Sequence, residues 1–234
     1  MKRKIIGHRG AAGLELENTA TSIKRALALN VPTIEIDLRL TKDEKLVVCH
    51  DSDLARVAND PRKIRKLTLN QLKKIPLIDG SRILSLPEAL SIIDKTPVIL
   101  ELKDNDSARL LLKELKKFPN SLVTVASFKL GELVLLRNLA PALRLYALEL
   151  TKPLESIQLA SILGLDGIGL NFWLLNPLTY YLARRKKLSI FVFTLNHKLA
   201  ARFISWLYPD VGICTDHPEW FSKKGQYFKN KEKV

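Results

Sequence analysis

The 234-residue sequence predicts an α/β protein folded as a (β/α)8 TIM barrel, on three observations. Eight short apolar runs alternate with segments of helical period. The length suits one well-cored domain of that architecture. Polar clusters close several of the apolar runs at the same end, where a parallel barrel carries its functional groups. A doubly wound open sheet shares the alternation and is the alternative fold; the polar rim favours the barrel.

Strands are expected at 4–8, 33–38, 97–102, 122–126, 143–148, 166–170, 188–194 and 211–214. The β-branched runs at 122–125 and 190–194 suit strands covered on both faces. Helices are expected at 19–28, 86–93, 107–117, 129–139, 154–163, 177–185 and 197–207. Ser85 before Leu86-Pro87-Glu88, and Asn176 before Pro177, have the chemistry of helix starts: a capping side chain, then a proline in the first turn.

One segment breaks the rhythm. Residues 39–50 read as a hairpin that rises past the second strand and returns to the barrel mouth at His50. Residues 51–85 read as a compact, irregular, charged insertion over the same rim, with one short helix near 69–74. The single barrel domain is expected to span 1–222, followed by a basic tail at 223–234.

The net charge of +14 favours anionic partners. Its lysines and arginines are spread along the chain without zinc-finger spacing or an aromatic-basic stripe, which argues against nucleic acid. Cys49 and Cys214 lie in apolar runs and read as core thiols, as in a reducing compartment. Only two apolar residues separate Met1-Lys2-Arg3-Lys4 from Gly7, so no signal peptide is drawn, and no apolar run has membrane-spanning length. A cytoplasmic location is the expectation.

Strand periodicity places Glu35 and Asp37 on one face and Ile34, Ile36 and Leu38 on the other. Glu101 and Lys103 share a face in the same way. Three inward carboxylates repel one another and resist burial, and one divalent cation relieves both problems; oxygen-only ligation suits Mg2+ or Ca2+. The alternative is neutralisation by Arg9 and Lys103 alone. His8 and His50 are two of four histidines, and at one rim they can divide proton transfer between them. Arg9 and Lys103 suit the oxygens of a phosphate, and Gly7 and Gly10 would let the backbone pass close to a ligand. Asp51 and Asn196, polar residues at the same rim, are supporting candidates. Phe172 and Trp173 are candidates for the leaving-group side of a pocket, whereas Trp206 and Tyr208 read as packing.

These residues carry a family resemblance. His8-Arg9-Gly10, Glu17-Asn18-Thr19, Glu35-Ile36-Asp37, His50-Asp51, Glu101-Leu102-Lys103, Thr194-Leu195-Asn196 and Gly212-Ile213-Cys214-Thr215-Asp216 follow one another as in the glycerophosphodiester phosphodiesterases. The chain resembles that family over nearly its whole length. The resemblance implies metal-dependent hydrolysis of glycerophosphodiesters to sn-glycerol 3-phosphate and an alcohol, with water or the neighbouring glycerol hydroxyl as nucleophile. It implies Glu35, Asp37 and Glu101 as metal ligands, His8 and His50 as acid and base, and Arg9 and Lys103 as the phosphate clamp. Glu17 and Asn18 would support them. Two rivals share the scaffold: a lysophospholipase D meeting an anionic membrane through its basic surface and residues 172–175, and a non-catalytic barrel that binds phosphate or polyanions.

Overall fold

The computed structural model describes residues 4–222, so the basic tail expected at 223–234 lies outside the described residues. The chain runs β1 (Ile5–Gly7), α1 (Ala20–Ala28), β2 (Thr33–Leu40), β3 (Leu46–Val48), β4 (Asp53–Leu54), α2 (Ala55–Ala58), β5 (Asp60–Lys63), α3 (Leu69–Lys74), α4 (Leu86–Ile93) and β6 (Val98–Leu102). It continues with α5 (Ala108–Leu115), β7 (Val123–Ser127), α6 (Leu130–Leu139), β8 (Arg144–Glu149), α7 (Pro153–Ile162), β9 (Gly167–Asn171), α8 (Pro177–Arg185), β10 (Ser189–Phe193), α9 (Lys198–Leu207) and β11 (Gly212–Thr215).

β1 pairs in parallel with both β2 and β11, and this pairing closes the ring. Between them the order is β2, β6, β7, β8, β9, β10 and β11, all parallel. An open sheet would leave β1 or β11 at an edge. The chain is therefore a TIM barrel.

Alternation along each strand sorts its side chains. Ile34, Ile36 and Leu38 are fully buried against the helix layer, in one cluster with Ile23, Ala26 and Leu90. The opposite face of the strands fills the barrel with Ile6, Ile99, Tyr146, Leu148, Phe191 and Cys214. Each large aliphatic group so buried stabilises the fold by about 1.5–3 kcal/mol. Glu35 and Asp37 occupy the inward register positions of β2, and Asp37 stands directly opposite Glu101 of β6.

The expected helix starts are capped. Asn176 accepts from the backbone of Leu178 and Thr179 at the start of α8, and Glu88 accepts from the Ser85 backbone at the start of α4. These bonds satisfy amides that the first helical turn leaves unpaired.

β2 overshoots the barrel, and β3 pairs antiparallel with its end from Leu38 to Leu40. The Cys49 amide donates to the Asp37 carbonyl, so the hairpin delivers His50 beside the acids. The insertion that follows is more ordered than its irregular sequence suggests. It holds the β4–β5 pair, α2, α3 and an apolar cluster that includes Val47, Leu54, Val57, Ile64 and Leu72. β4, α2 and α3 each contribute one or two apolar residues and β5 none, so no run is long enough to show a period.

Candidate active site

The C-terminal ends of β1, β2 and β6 and the β3 hairpin converge on one cluster. Glu35, Asp37 and Glu101 bring carboxylate oxygens within 4.8 Å of one another. Lys103 Nζ lies 3.0 Å from Asp37 Oδ1 and 2.5 Å from Glu101 Oε1. Arg9 Nε lies 3.2 Å from Asp37 Oδ2, and the Arg9 amide donates to Glu35 Oε2 at 2.9 Å. Asn18 makes a reciprocal pair with Asp37, donating to Oδ2 at 2.8 Å and accepting from its amide at 3.2 Å.

The loop after β1 is shaped by close packing of the chain on itself. A side chain at Gly7 would strike the Gly10 carbonyl, and one at Gly10, whose φ is 89°, would strike Ser22. These glycines thus serve the packing of the turn on itself. Arg9 has a φ of 51°, an uncommon conformation for a non-glycine residue, and this aims its amide at Glu35.

Burial and charge divide the three acids. Burial drives the Glu35 carboxyl well above the usual carboxylate range, with the Asp37 and Glu101 charges adding to the effect. Burial and the Asp37 charge push Glu101 up to about 7, against the pull of Lys103. Burial also acts to raise Asp37, but Lys103 and Arg9 outweigh it and hold that carboxyl far below its ordinary value. Among the described residues no hydrogen-bond donor reaches Glu35 Oε1. Asp37 Oδ1 and Glu101 Oε1 meet Lys103 only as ion-pair contacts.

Each rim histidine is oriented by an aspartate. His8 Nδ1 lies 2.6 Å from Asp216 Oδ1, and His50 Nδ1 lies 2.7 Å from Asp51 Oδ1. An ionised carboxylate only accepts, so both Nδ1 atoms carry the proton and both Nε2 atoms are left for chemistry. Asn196 donates to Asp216 Oδ2 and accepts from the Asp216 amide, fixing the His8 partner. Burial lowers the His50 pKa, although the Asp37 charge and the Asp51 hydrogen bond oppose it.

A ladder of charges connects the two sides of the mouth. Arg9 donates to Glu17, Arg56 donates to both Glu17 oxygens and to Asp51 Oδ2, and Asp51 holds His50. Arg39 donates twice to the His50 carbonyl and once to Asp104, which also accepts from the Leu40 amide.

The structure brings together His8, Arg9, Glu17, Asn18, Glu35, Asp37, His50, Asp51, Glu101, Lys103 and, through Asp216, Asn196. Phe172 and Trp173 are elsewhere. They line a groove between the 3-10 turn after β9 and α9, while a small cavity at the acids is walled by His8, Glu35, Glu101, Leu148, Phe191 and Phe193. The 3-10 turn they occupy, Phe172–Leu174, carries them away from the barrel axis, and sequence order alone does not show this. Sequence reasoning also gave no role to Asp216, Arg39 or Asp104. Asp216 was legible as a strand-end acid after β11; the links of Arg39 required the hairpin to be folded.

Oxygen donors crowded at a barrel rim, beside two oriented imidazoles and two cationic side chains, form a set that could hold a divalent cation and meet a phosphodiester. The chain matches the glycerophosphoryl diester phosphodiesterase family over residues 8–220, and it belongs to that family. A glycerophosphodiester phosphodiesterase of Bacillus subtilis strain 168 is 27% identical, with 93% of this chain and 85% of that one covered. One from Caldanaerobacter subterraneus subsp. tengcongensis is 30% identical over 65% of this chain and 70% of its own length. The crystal structure of the Thermotoga maritima enzyme superposes with a TM-score of 0.82 at 26% identity, covering 94% of this chain and 97% of that one. The protein is an enzyme that hydrolyses glycerophosphodiesters.

Proposed function

We propose that Glu35, Asp37 and Glu101 hold one divalent cation, that His8 and His50 are the acid–base pair, and that Arg9 and Lys103 bind the phosphoryl group. The observation that carries this reading is the set of three buried carboxylates with oxygens turned to a common point, one of them without any donor. Charge supports the fit. Three carboxylates against Arg9 and Lys103 leave one negative charge uncompensated. A divalent cation overshoots by one positive charge, and a phosphodiester monoanion cancels it. The all-oxygen donor set suits Mg2+ or Ca2+.

When bound, such a cation supplies Lewis-acid neutralisation of charge on the phosphoryl oxygens. The chain's own residues do the rest. Arg9 and Lys103 turn their donors to the phosphate and stabilise the charge that builds on it in the transition state. His50 is held neutral near pH 7 by burial, so its Nε2 is suited to accept the proton of the attacking hydroxyl. His8 then donates from Nε2 to the departing oxygen, and Asp216 stabilises the imidazolium before transfer. Asp51 does the same for His50 as it takes up its proton.

The test is release of glycerol 3-phosphate from glycerophosphocholine, followed with and without chelator, together with calorimetric titration of Mg2+ and Ca2+. Glu35→Gln, Asp37→Asn and Glu101→Gln should each abolish measurable cation binding along with turnover. Binding that survives all three replacements would sink the assignment.

A second reading concerns the alcohol. Beside the acids lies half-buried Phe193, with the exposed Phe128 edge-on to it at 6.1 Å, an apolar surface that suits a lysophospholipid over a small polar headgroup. Comparing kcat/KM for a lysophospholipid and for glycerophosphocholine decides between them.

A further inference from the structure

α9 is packed inside out. Its buried face is small, Ala201 and Ser205, while Leu199 (70% exposed), Phe203 (58%) and Trp206 (74%) stand in solvent. Their spacing of four and three residues puts them on one helical face. Trp206, expected from the sequence to be packing, is thus a surface residue; of the pair only Tyr208 is buried, against Tyr180. Trp173 (80%) joins the stripe across an apolar groove of roughly 610 Å³ between the 3-10 turn after β9 and α9. Large aromatic side chains grouped in solvent mark an interaction surface, whereas single ones do not.

The surrounding charge identifies the partner. From Phe172 to Tyr208 the chain carries six lysines and arginines and no aspartate or glutamate. Lys198 and Arg202 flank the stripe on α9, and Arg184 and Arg185 end α8; all four are exposed. Tryptophan, phenylalanine and leucine on one side with basic residues beside them is the composition of a helix that lies in a lipid interface. A second copy of the chain fits poorly. A two-fold contact would set this predominantly basic surface, in which Asp210 offsets Arg184, against itself, and like charges across an interface are strongly unfavourable. No helix among the described residues is long and apolar enough to cross a membrane, so the contact is peripheral.

We infer that the exposed face of α9, with Trp173, docks this enzyme on the surface of an anionic bilayer. The inference adds a partner to the phosphodiesterase reading and rests on it for its purpose. α9 begins two residues after Asn196, whose side chain holds the Asp216 partner of His8. The rim end of the stripe therefore adjoins the active site, and docking brings the barrel mouth to the layer where phosphodiester headgroups lie.

The experiment is co-sedimentation of the full chain with phosphatidylcholine vesicles, with and without phosphatidylglycerol. Binding is expected only to the phosphatidylglycerol vesicles and should weaken as salt is raised. Phe203→Ser combined with Trp206→Ser should lower the vesicle affinity roughly tenfold or more. Both positions are in solvent, so the fold should survive, and Lys198→Glu with Arg202→Glu tests the same surface through charge. Failure of the native protein to bind phosphatidylglycerol vesicles at low salt would overturn the inference, as would native-like binding by both double variants. A dimer that the Phe203/Trp206 variant converts to monomer would also overturn it, assigning the surface to a second copy. Hydrolysis of glycerophosphocholine without vesicles is measured alongside. Its absence in the native protein counts against the phosphodiesterase reading; its presence without vesicle binding counts only against docking.

Discussion

Asp216 shows how one side chain controls another. It touches no group proposed to meet phosphate, yet it fixes the His8 tautomer at 2.6 Å and is itself held by Asn196. Asp216→Asn removes the carboxylate that stabilises the imidazolium and can donate to Nδ1, leaving a neutral ring that is a poor acid at Nε2. The expected result is a fall in kcat on the order of 10²-fold or more, with KM little changed, because proton transfer is lost while phosphate binding is kept. A rise in KM at constant kcat would mean that Asp216 serves binding instead. At this scale much of the site was legible in the sequence. An acid, a histidine or a lysine in or at the end of an apolar run needs a reason to be there; His8, His50, Glu101 and Lys103 fall at or beside such ends, and Glu35 and Asp37 alternate with the apolar residues of β2. Asp216 follows the same rule after β11 and needed only its partner to be known. Arg9 was legible as a cation, but not as a residue shared among Glu17, Asp37 and, through its amide, Glu35.

Secondary elements put these residues within reach of one another, and the β2–β3 hairpin makes the longest reach. Arg39 binds the His50 carbonyl with two nitrogens and Asp104 with a third, tying the returning arm to the loop after β6. Arg39→Met keeps the aliphatic stem and removes the fork. His50 would then be carried on a looser arm, and kcat should fall by roughly tenfold to a hundredfold with cation binding preserved. Equal kcat in the variant, measured under saturating substrate, would show that the β3 pairing alone positions His50. The insertion makes a separate prediction. Leu72 is fully buried in the cluster beneath the rim, so Leu72→Ala should cost about 2–5 kcal/mol in urea unfolding. The seven long helices were readable because each repeats its period over enough residues to stand out, and the barrel strands, some as short as β1, because they alternate with those helices as apolar runs. α2, β4 and β5 span two to four residues each and carry no period. α2 and β4 share an apolar cluster, and β5 pairs with β4, contacts that exist only once the chain has turned back on itself.

For the molecule as a whole, a barrel that gathers three carboxylates at one end couples its folding to protons and to a cation. Burial, reinforced by neighbouring acids, raises Glu35 and sets Glu101 to about 7, against an ordinary value of 4.5. A carboxyl whose folded value is raised keeps its proton in the native state after the unfolded chain has lost it. Unfolding then releases protons, and stability falls as pH rises. Without cation, the protein should therefore lose stability between about pH 4.5 and about pH 7, where Glu101 ionises in the fold. Asp37 has the opposite sign: its lowered value contributes stability at neutral pH and loses it only in strong acid. A divalent cation binds the ionised acids in the folded state, so protons compete with it. Thermal melts with Mg2+ or with chelator, taken at pH 5 and pH 8, measure the linkage. The cation should raise Tm far more at pH 8, and a cation at a hundred times its Kd stabilises by about 2.7 kcal/mol. Glu101→Gln should flatten the pH trend of the chelated protein and remove most of the Mg2+ response. A cation-induced shift of equal size at both pH values would mean that the ion sits away from these carboxyls, since protons that bind them must compete with it.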